Sequence, residues 1–456
     1  MIIGNLRLEM NYYELLYQGR YDELVEEAYP LLEKDPDAER AFMRLFMQKP
    51  AVMLLDEHQS IGFLTKEAEA GNRYAQYAYA RWQSMMREGE NSLWISYRNM
   101  QAAADQGLPD AIAGLSLVYN YGDIGSADWE KYDELLQKSI DLGSELGLKI
   151  RLQSLCFGYH YKDAEPEKAV EMAERLIREY EEKGIEPYGE WFYYRACAKE
   201  DRIGRTRVVD DYKRALELGI MNAFTDLIFA SGYGDGNDVL VESKEYSDYI
   251  LQGMARQAAG AFYMDAAREM SRYEVLNDSY LDREIKYNKI PYNVLLASHH
   301  LIHSRLSHAA ELGDKAAWEV LGDCFYRGTY GFEKDYKKAF TCYTNGVMHD
   351  SASAAESLWK MMHDHLIERS LDYQDSIAIM GARWGSKRLL AETVIARQEG
   401  RLTEFSDEIS KYYEPIFDSP EFSLDSDEDW MQVIDEQLGD DDDDFDEDDG
   451  RYDAWA

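Results

Sequence analysis

One stretch decides the fold: His308 to Gly346, with the sequence HAAELGDKAAWEVLGDCFYRGTYGFEKDYKKAFTCYTNG. Ala317 and Leu321 lie four and eight residues after Gly313, and steps of four stay on one face of an α-helix. Gly328 lies fifteen residues after Gly313 and is expected to end this helix, because glycine adopts the left-handed conformation of a helix C-terminus at low cost.

A second helix follows within the same stretch. Asp335 is a suitable N-cap, and Tyr336 to about Thr344 is expected to be helical. Ala339, Phe340 and Tyr343 recur at helical spacing and are expected to face inward. The stretch therefore predicts a helical hairpin with a short turn.

The same frame recurs along the chain. All four positions match in two further copies, Gly107-Ala111-Leu115-Gly122 and Gly219-Ala223-Leu227-Gly234. The fifteen-residue glycine spacing alone recurs at Gly143 and Gly158 and at Gly385 and Gly400, and weaker starts lie at Gly71, Gly184, Gly260 and Asp350. Successive starts are 35 to 41 residues apart, with one interval of 53. This period is typical of helical-hairpin solenoids. We therefore predict an all-α fold, a right-handed α-solenoid of stacked helical hairpins.

Two segments resemble the Sel1-like repeat family, a branch of the tetratricopeptide-like superfamily. They are AAELGDKAAWEVLGDCFYRG followed by DYKKAFTCY, and AAADQGLPDAIAGLSLVYNYG. The resemblance extends unevenly over residues 66–402. It implies a protein-interaction scaffold, a role that the family often performs without enzymatic activity.

Three regions are predicted. Residues 1–50 resemble a tetratricopeptide motif, with a turn at Gly19 and a stop at Pro36, and would form the N-terminal cap. Residues 51–418 would form the repeat solenoid, with residues 401–417 as its closing helix. Residues 419–456 would form an acidic, largely disordered tail, because its aspartate run has nothing apolar to bury.

The charge of the chain limits its partners. The formal net charge is −39. The segment Asp425 to Asp453 contributes −15, so the remainder still carries −24. Such a surface repels nucleic acid and anionic lipid and attracts basic partners. We therefore expect a basic protein or peptide as partner, no nucleic acid and no membrane.

Cysteine usage and hydropathy bear on localisation. The four cysteines form no CxxC pair, and so few in 456 residues do not make a disulfide framework. The N-terminus lacks the pattern of a secretory signal, and no apolar run approaches 18 residues. We expect a soluble, cytoplasmic protein.

Two sets of residues are candidate partner contacts. Residues 191–194 place Trp191, Phe192, Tyr193 and Tyr194 in one helical turn. All four cannot face a core, so one or two would line a groove, with Trp191 and Tyr194 as the candidates. In the tail, acid interleaved with aromatic side chains is typical of disordered segments that bind basic partners. Its candidate contacts are Asp440, Asp441, Asp442, Asp443, Asp444, Phe445 and Trp455.

Three functions remain open. The first is a non-enzymatic scaffold that binds its partner on the concave face of the solenoid, formed mainly by the first helix of each pair. The second is an acidic inhibitor, immunity-type protein or nucleic-acid mimic that neutralises one basic partner. The third is a metal-dependent enzyme using His299 and His303, which are four residues apart, although no third ligand is evident. We predict no catalytic residue, no metal site and no cofactor.

Overall fold

The computed structural model describes residues 11–86, 91–121, 128–158, 164–203, 207–232, 244–281, 292–384, 386–398 and 400. Within these ranges the chain forms 22 α-helices and no β-strand. The predicted all-α fold is therefore confirmed. The closing helix and the acidic tail lie outside the described residues.

Five helices precede the paired helices. They are α1 Tyr12–Tyr17, α2 Tyr21–Ala28, α3 Pro36–Leu45, α4 Lys49–Met53 and α5 Gly62–Glu69, with a 3₁₀ turn at Tyr29–Leu31 and a π-helical turn at Glu57–Ile61. Pro36 begins α3 instead of stopping a helix. Asp35 is the N-cap of α3, and proline suits the first turn because its missing N–H would have no partner there.

The following helices form successive antiparallel pairs. Six pairs lie before residue 312: α6 Arg73–Met86 with α7 Ser92–Asp105, α8 Pro109–Tyr121 with α9 Trp129–Asp141, α10 Glu145–Phe157 with α11 Pro166–Glu182, α12 Gly189–Ile203 with α13 Val209–Glu217, α14 Ala223–Gly232 with α15 Lys244–Ala255, and α16 Ala259–Leu281 with α17 Tyr292–Glu311. The later helices are α18 Lys315–Arg327, α19 Tyr336–Met348, α20 Ala352–His363, α21 Leu371–Arg383 and α22 Lys387–Gln398.

The described part of the chain divides into two compact units, which meet between Ala317 and Trp318. The division falls within α18. In the first unit, the first helices of neighbouring pairs also contact one another, at α6–α8, α8–α10, α10–α12 and α14–α16. We call α6, α8, α10, α12, α14 and α16 the first-helix layer. This layer is the face on which the sequence predicted a partner.

The stretch that decides the fold has the predicted local structure. Asp335 caps α19, and its carboxylate accepts hydrogen bonds from the backbone N–H groups of Lys337 and Lys338 at 3.0 and 3.1 Å. Gly328 ends α18 with a φ of +75°. Ala317 and Leu321 are buried, as their spacing predicted.

The predicted frame is wrong at one repeat. Gly107 and Gly219 occupy left-handed turns, with φ of +79° and +85°, as expected for repeat starts. At the next repeat the left-handed residue is Gln257, with φ of +58°, and Gly260 lies inside α16. A Cβ atom on Gly260 would lie 1.9 Å from Oγ1 of Thr225. Gly260 is therefore needed for close packing between helices and not for a turn.

Candidate interaction surfaces

A buried ion pair joins α3 to the first-helix layer. The Arg44 guanidinium is fully buried and donates to both carboxylate oxygens of Glu145, on α10, at 2.8 and 2.9 Å. It also donates to the backbone carbonyl of Glu186 at 2.9 Å. Its Cζ lies 5.3 Å from the ring centre of Tyr13 and 5.0 Å from that of Tyr188. This centre holds the N-terminal helices against α10 and the turn that precedes α12.

Further contacts extend the cover of this layer. Arg256, just before α16, donates to the backbone carbonyl of Tyr17 at 2.7 Å. A Cβ atom on Gly219, just before α14, would lie 2.9 Å from the Tyr17 ring, so α1 packs closely there. Lys149 on α10 donates to the carbonyl of Met47 at 3.0 Å. The chain's own N-terminal segment thus contacts α10 and the turns that precede α12, α14 and α16.

The covering helices are part of the hydrophobic core. Phe42 and Phe46 have no exposed surface, and their rings lie 5.0 Å apart. A partner bound to the covered part of the layer would have to displace this core. Arg44 was not among the predicted contact residues, although a lone charged residue within the apolar run AFMRLF at residues 41–46 indicates a buried partner.

Trp191 and Tyr194 do not line an open groove. Trp191 has no exposed surface, and its ring packs edge-on against Tyr188 at 5.4 Å and Tyr180 at 6.3 Å. Phe192 and Tyr194 are also buried, whereas Tyr193 is half-buried. All four rings therefore do not lie fully in the core, but the two that were chosen as groove residues do. The reason is that α12 contacts α10, α11 and α13, which bury more than one of its faces. A partner could reach either candidate only if α12 were uncovered.

The other predicted contacts lie outside the described residues. Asp440, Asp441, Asp442, Asp443, Asp444, Phe445 and Trp455 all belong to this group. Their proposed role in partner binding therefore stays a prediction.

The histidines of α17 do not form a metal centre in the part of the chain that the structure describes. The rings of His299 and His300 stack at 5.3 Å. His308 contacts the side-chain oxygen of Gln257 at 2.8 Å through its Nε2 atom. Burial, together with the neighbouring His300 and His303, lowers the pKa of His299. Among the described residues, no group of three or more His, Cys, Asp or Glu side chains is arranged to hold a metal ion.

An exposed tryptophan marks a depression on α7. Trp94 is 48% exposed and lies with Asn91, Ile95 and Arg98 around a depression of about 550 Å³. Leu93, Trp94, Tyr97 and Met100 recur at helical spacing, which fits α7 but does not indicate that Trp94 remains exposed.

A buried carboxyl group links two neighbouring pairs. Asp110, in the first turn of α8, accepts hydrogen bonds from the hydroxyl of Ser144 and the backbone N–H of Leu146. Ser144 also caps α10. Burial raises the pKa of Asp110 to about 6, against the effect of these two hydrogen bonds. The contact between the α8 and α10 pairs therefore contains a group that titrates near neutral pH.

No helix among the described residues combines the length and apolar character needed to cross a bilayer. The described cysteines, Cys156, Cys197, Cys324 and Cys342, are all free.

Comparison with known proteins gives one similarity at the sequence level. No protein-family model matches the chain. An uncharacterised Sel1-like repeat-containing protein of Schizosaccharomyces pombe is 33% identical over 122 residues. The chain is similar to a Sel1-like repeat protein over this segment. The match covers 24% of this chain and 18% of the relative, so most of the relative's length has no counterpart in the matched segment.

Two solved structures are among those to which the chain is similar. A Sel1 repeat protein from Oxalobacter formigenes covers 75% of this chain and 92% of its own, with 15% identity and a TM-score of 0.32. A protective antigen of uropathogenic Escherichia coli, described as having an SLR fold, covers 94% of this chain and 97% of its own, with 15% identity and a TM-score of 0.28. The architecture described above rests on the chain's own helices and contacts.

Proposed function

We propose that the chain is a non-enzymatic interaction scaffold whose helical pairs bind a basic protein or peptide. The observation that carries this proposal is the charge of the chain outside residues 425–453, where −24 of the total −39 resides. The local similarity to a Sel1-like repeat protein supports the scaffold role. Acidic surfaces attract basic partners and speed their association.

The proposal also concerns where the partner binds. The concave face was the expected site, but in the first unit α1, α3 and the chain after it contact α10 and the turn before α16 through a buried ion pair and two partly buried hydrogen bonds. We therefore place the partner on acidic surface that remains exposed, and not on the layer beneath α3.

The experiment is affinity capture from native lysate at about 50 mM and about 500 mM salt. The full chain is compared with a version ending at Asp418, and captured proteins are quantified by mass spectrometry. Captured partners should be enriched in basic proteins at low salt. They should be lost at high salt, because the distance over which exposed charges interact then shortens to a few ångströms. Equal retention by both versions would support a site on the helical pairs.

Other outcomes separate the alternatives. Loss of the partner with the tail would place binding in the acidic segment. One basic protein held at high salt, with its own activity abolished at a one-to-one ratio, would support the neutralising alternative. A captured set with no enrichment in basic proteins at low salt would contradict the scaffold proposal.

A further inference from the structure

An aromatic pair with one exposed ring lies on the surface of the N-terminal helices. Phe63, in the first turn of α5, is 40% exposed. Its ring meets that of half-buried Tyr29 edge-on, with centroids 4.9 Å apart and an angle of 83°. Tyr29 in turn contacts the fully buried Phe42 at 5.9 Å. The pair is therefore anchored in the core while one ring faces solvent.

Carboxylates lie along the same surface. Asp22, Glu26 and Tyr29 are spaced by four and three residues, so they share one face of α2 and its continuation. Glu67 lies one turn after Phe63 on α5 and accepts a hydrogen bond from the Tyr29 hydroxyl at 3.1 Å. The aromatic pair is thus bordered by acids from both helices.

The arrangement is held in place by hydrogen bonds. The Asp22 carboxylate accepts from the backbone N–H of Asp56 at 3.1 Å and from the hydroxyl of Ser60. These bonds attach the π-helical turn before α5 to α2. They fix the position of Phe63 relative to the acidic face, so a ligand would meet a preformed surface.

Three cations lie near this surface in the chain. Lys34 is exposed and donates to the backbone carbonyl of Pro30, next to Tyr29, at 3.5 Å. Arg20 pairs with Glu23 at the start of α2. Lys66 is exposed on α5 but is flanked by Glu67 and by exposed Glu69. Among the described residues, no ion pair involves Glu26. The surface therefore has a surplus of negative charge around an exposed ring.

We propose that Asp22, Glu26, Tyr29, Phe63 and Glu67 form a docking patch for a segment rich in arginine or lysine. We call these five residues the acid–aromatic patch. A cation would stack on the Phe63 ring while the carboxylates pair with it and with its neighbours. This inference rests on the proposed function and names the site at which that function would operate.

The test uses the full chain and a defined peptide, an acetylated sequence of four Arg-Gly repeats, with four Gln-Gly repeats as the neutral control. Binding is measured by calorimetry at about 50 mM salt. Phe63→Ser removes the exposed ring, and the double variant Glu26→Gln with Glu67→Gln removes two charges while keeping hydrogen-bonding side chains. Each is expected to weaken arginine-peptide binding about fivefold or more.

Matched controls remove similar groups elsewhere. Leu251 on α15 is 63% exposed, so Leu251→Ser removes another exposed apolar side chain. Glu171→Gln with Glu181→Gln removes two exposed charges from α11. Both controls are expected to bind within about twofold of the unaltered chain. Thermal melting verifies folding, and the charge variant remains informative if Phe63→Ser does not fold.

A photo-crosslinking amino acid provides a direct readout. Placed at position 63 it should attach to the arginine peptide, and placed at position 251 it should not. If the unaltered chain binds the arginine peptide but the patch variants bind it equally well, the acid–aromatic patch is overturned while the proposed function stands. If the unaltered chain binds neither peptide, both proposals fail.

Discussion

At the scale of single residues, Asp110 shows how burial changes the chemistry of a side chain. Its carboxyl group contacts Ser144 and Leu146 but has little access to water. A buried carboxylate is less stable in its charged form, and burial raises the Asp110 pKa from 3.8 to about 6. Between these pH values the folded chain holds a proton that the unfolded chain releases.

The sign of the pH effect follows from this difference. Because the folded state binds more protons, the contribution of Asp110 to stability falls as pH rises from about 4 to 6 and is lowest above 6. Asp110→Asn keeps an acceptor oxygen and removes the charge. We expect the variant to be more stable than the unaltered chain at pH 7 by roughly 1–3 kcal/mol, with a gain that shrinks toward pH 4.

Denaturant unfolding at several pH values measures this gain. Glu130→Gln is the control, because Glu130 is exposed in the first turn of α9 and loses the same helix-dipole interaction. A gain for Asp110→Asn that is independent of pH would show that the carboxyl group does not titrate in this window.

At the scale of helices, the repeat frame was predictable and the N-terminal cover was not. The glycine spacing predicted the turns at Gly107 and Gly219, because a glycine in the left-handed conformation ends a helix through contacts with its own sequence neighbours. The pairing of Arg44 with Glu145 joins residues 101 positions apart, which no helical spacing encodes. The acid–aromatic patch arises similarly from two helices and a turn brought together by the fold.

The Arg44–Glu145 pair leads to a second prediction. Glu145→Gln leaves a fully buried guanidinium without its carboxylate and is expected to destabilise the first unit by roughly 3–5 kcal/mol. Arg44→Met combined with Glu145→Leu should cost less than Glu145→Gln alone, because no buried charge is left unpaired.

A more exposed ion pair provides the comparison. Arg195 and Asp211 pair at 2.5 Å with 19% of each side chain exposed. Asp211→Asn is expected to cost only about 1 kcal/mol, as measured by denaturant unfolding. Equal costs for Glu145→Gln and Asp211→Asn would contradict the structural role given to the buried pair.

At the scale of the whole molecule, the two compact units have separate hydrophobic clusters. One extends from Tyr12 to Met264 and the other from Ala339 to Leu389. Each unit therefore has its own core, and local unfolding of one need not open the other. Residues 51–418 were expected to form one solenoid, and the division between residues 317 and 318 was not predicted.

A substitution in the second unit tests this independence. A Cβ atom on Gly322 would lie 2.4 Å from the Tyr343 ring, so Gly322→Trp cannot be accommodated without separating α18 from α19. We expect it to cost about 3 kcal/mol or more and to speed amide exchange in α19 to α21. Exchange in α6 to α13 should not change. Equal acceleration in both regions, measured by mass spectrometry, would show that the units unfold together.

The sequence by itself determined the helical class, the hairpin period and most turn positions, because these depend on residues within a few turns of one another. It also determined the acidity that motivates a basic partner. Only the tertiary structure decided that the N-terminal helices cover the first-helix layer, that Trp191 is buried and that Phe63 is exposed. Many helices in this chain have similar apolar faces. Which helices pack together therefore depends on side-chain packing and on buried charge pairs between residues far apart in the sequence, which helical spacing alone cannot specify.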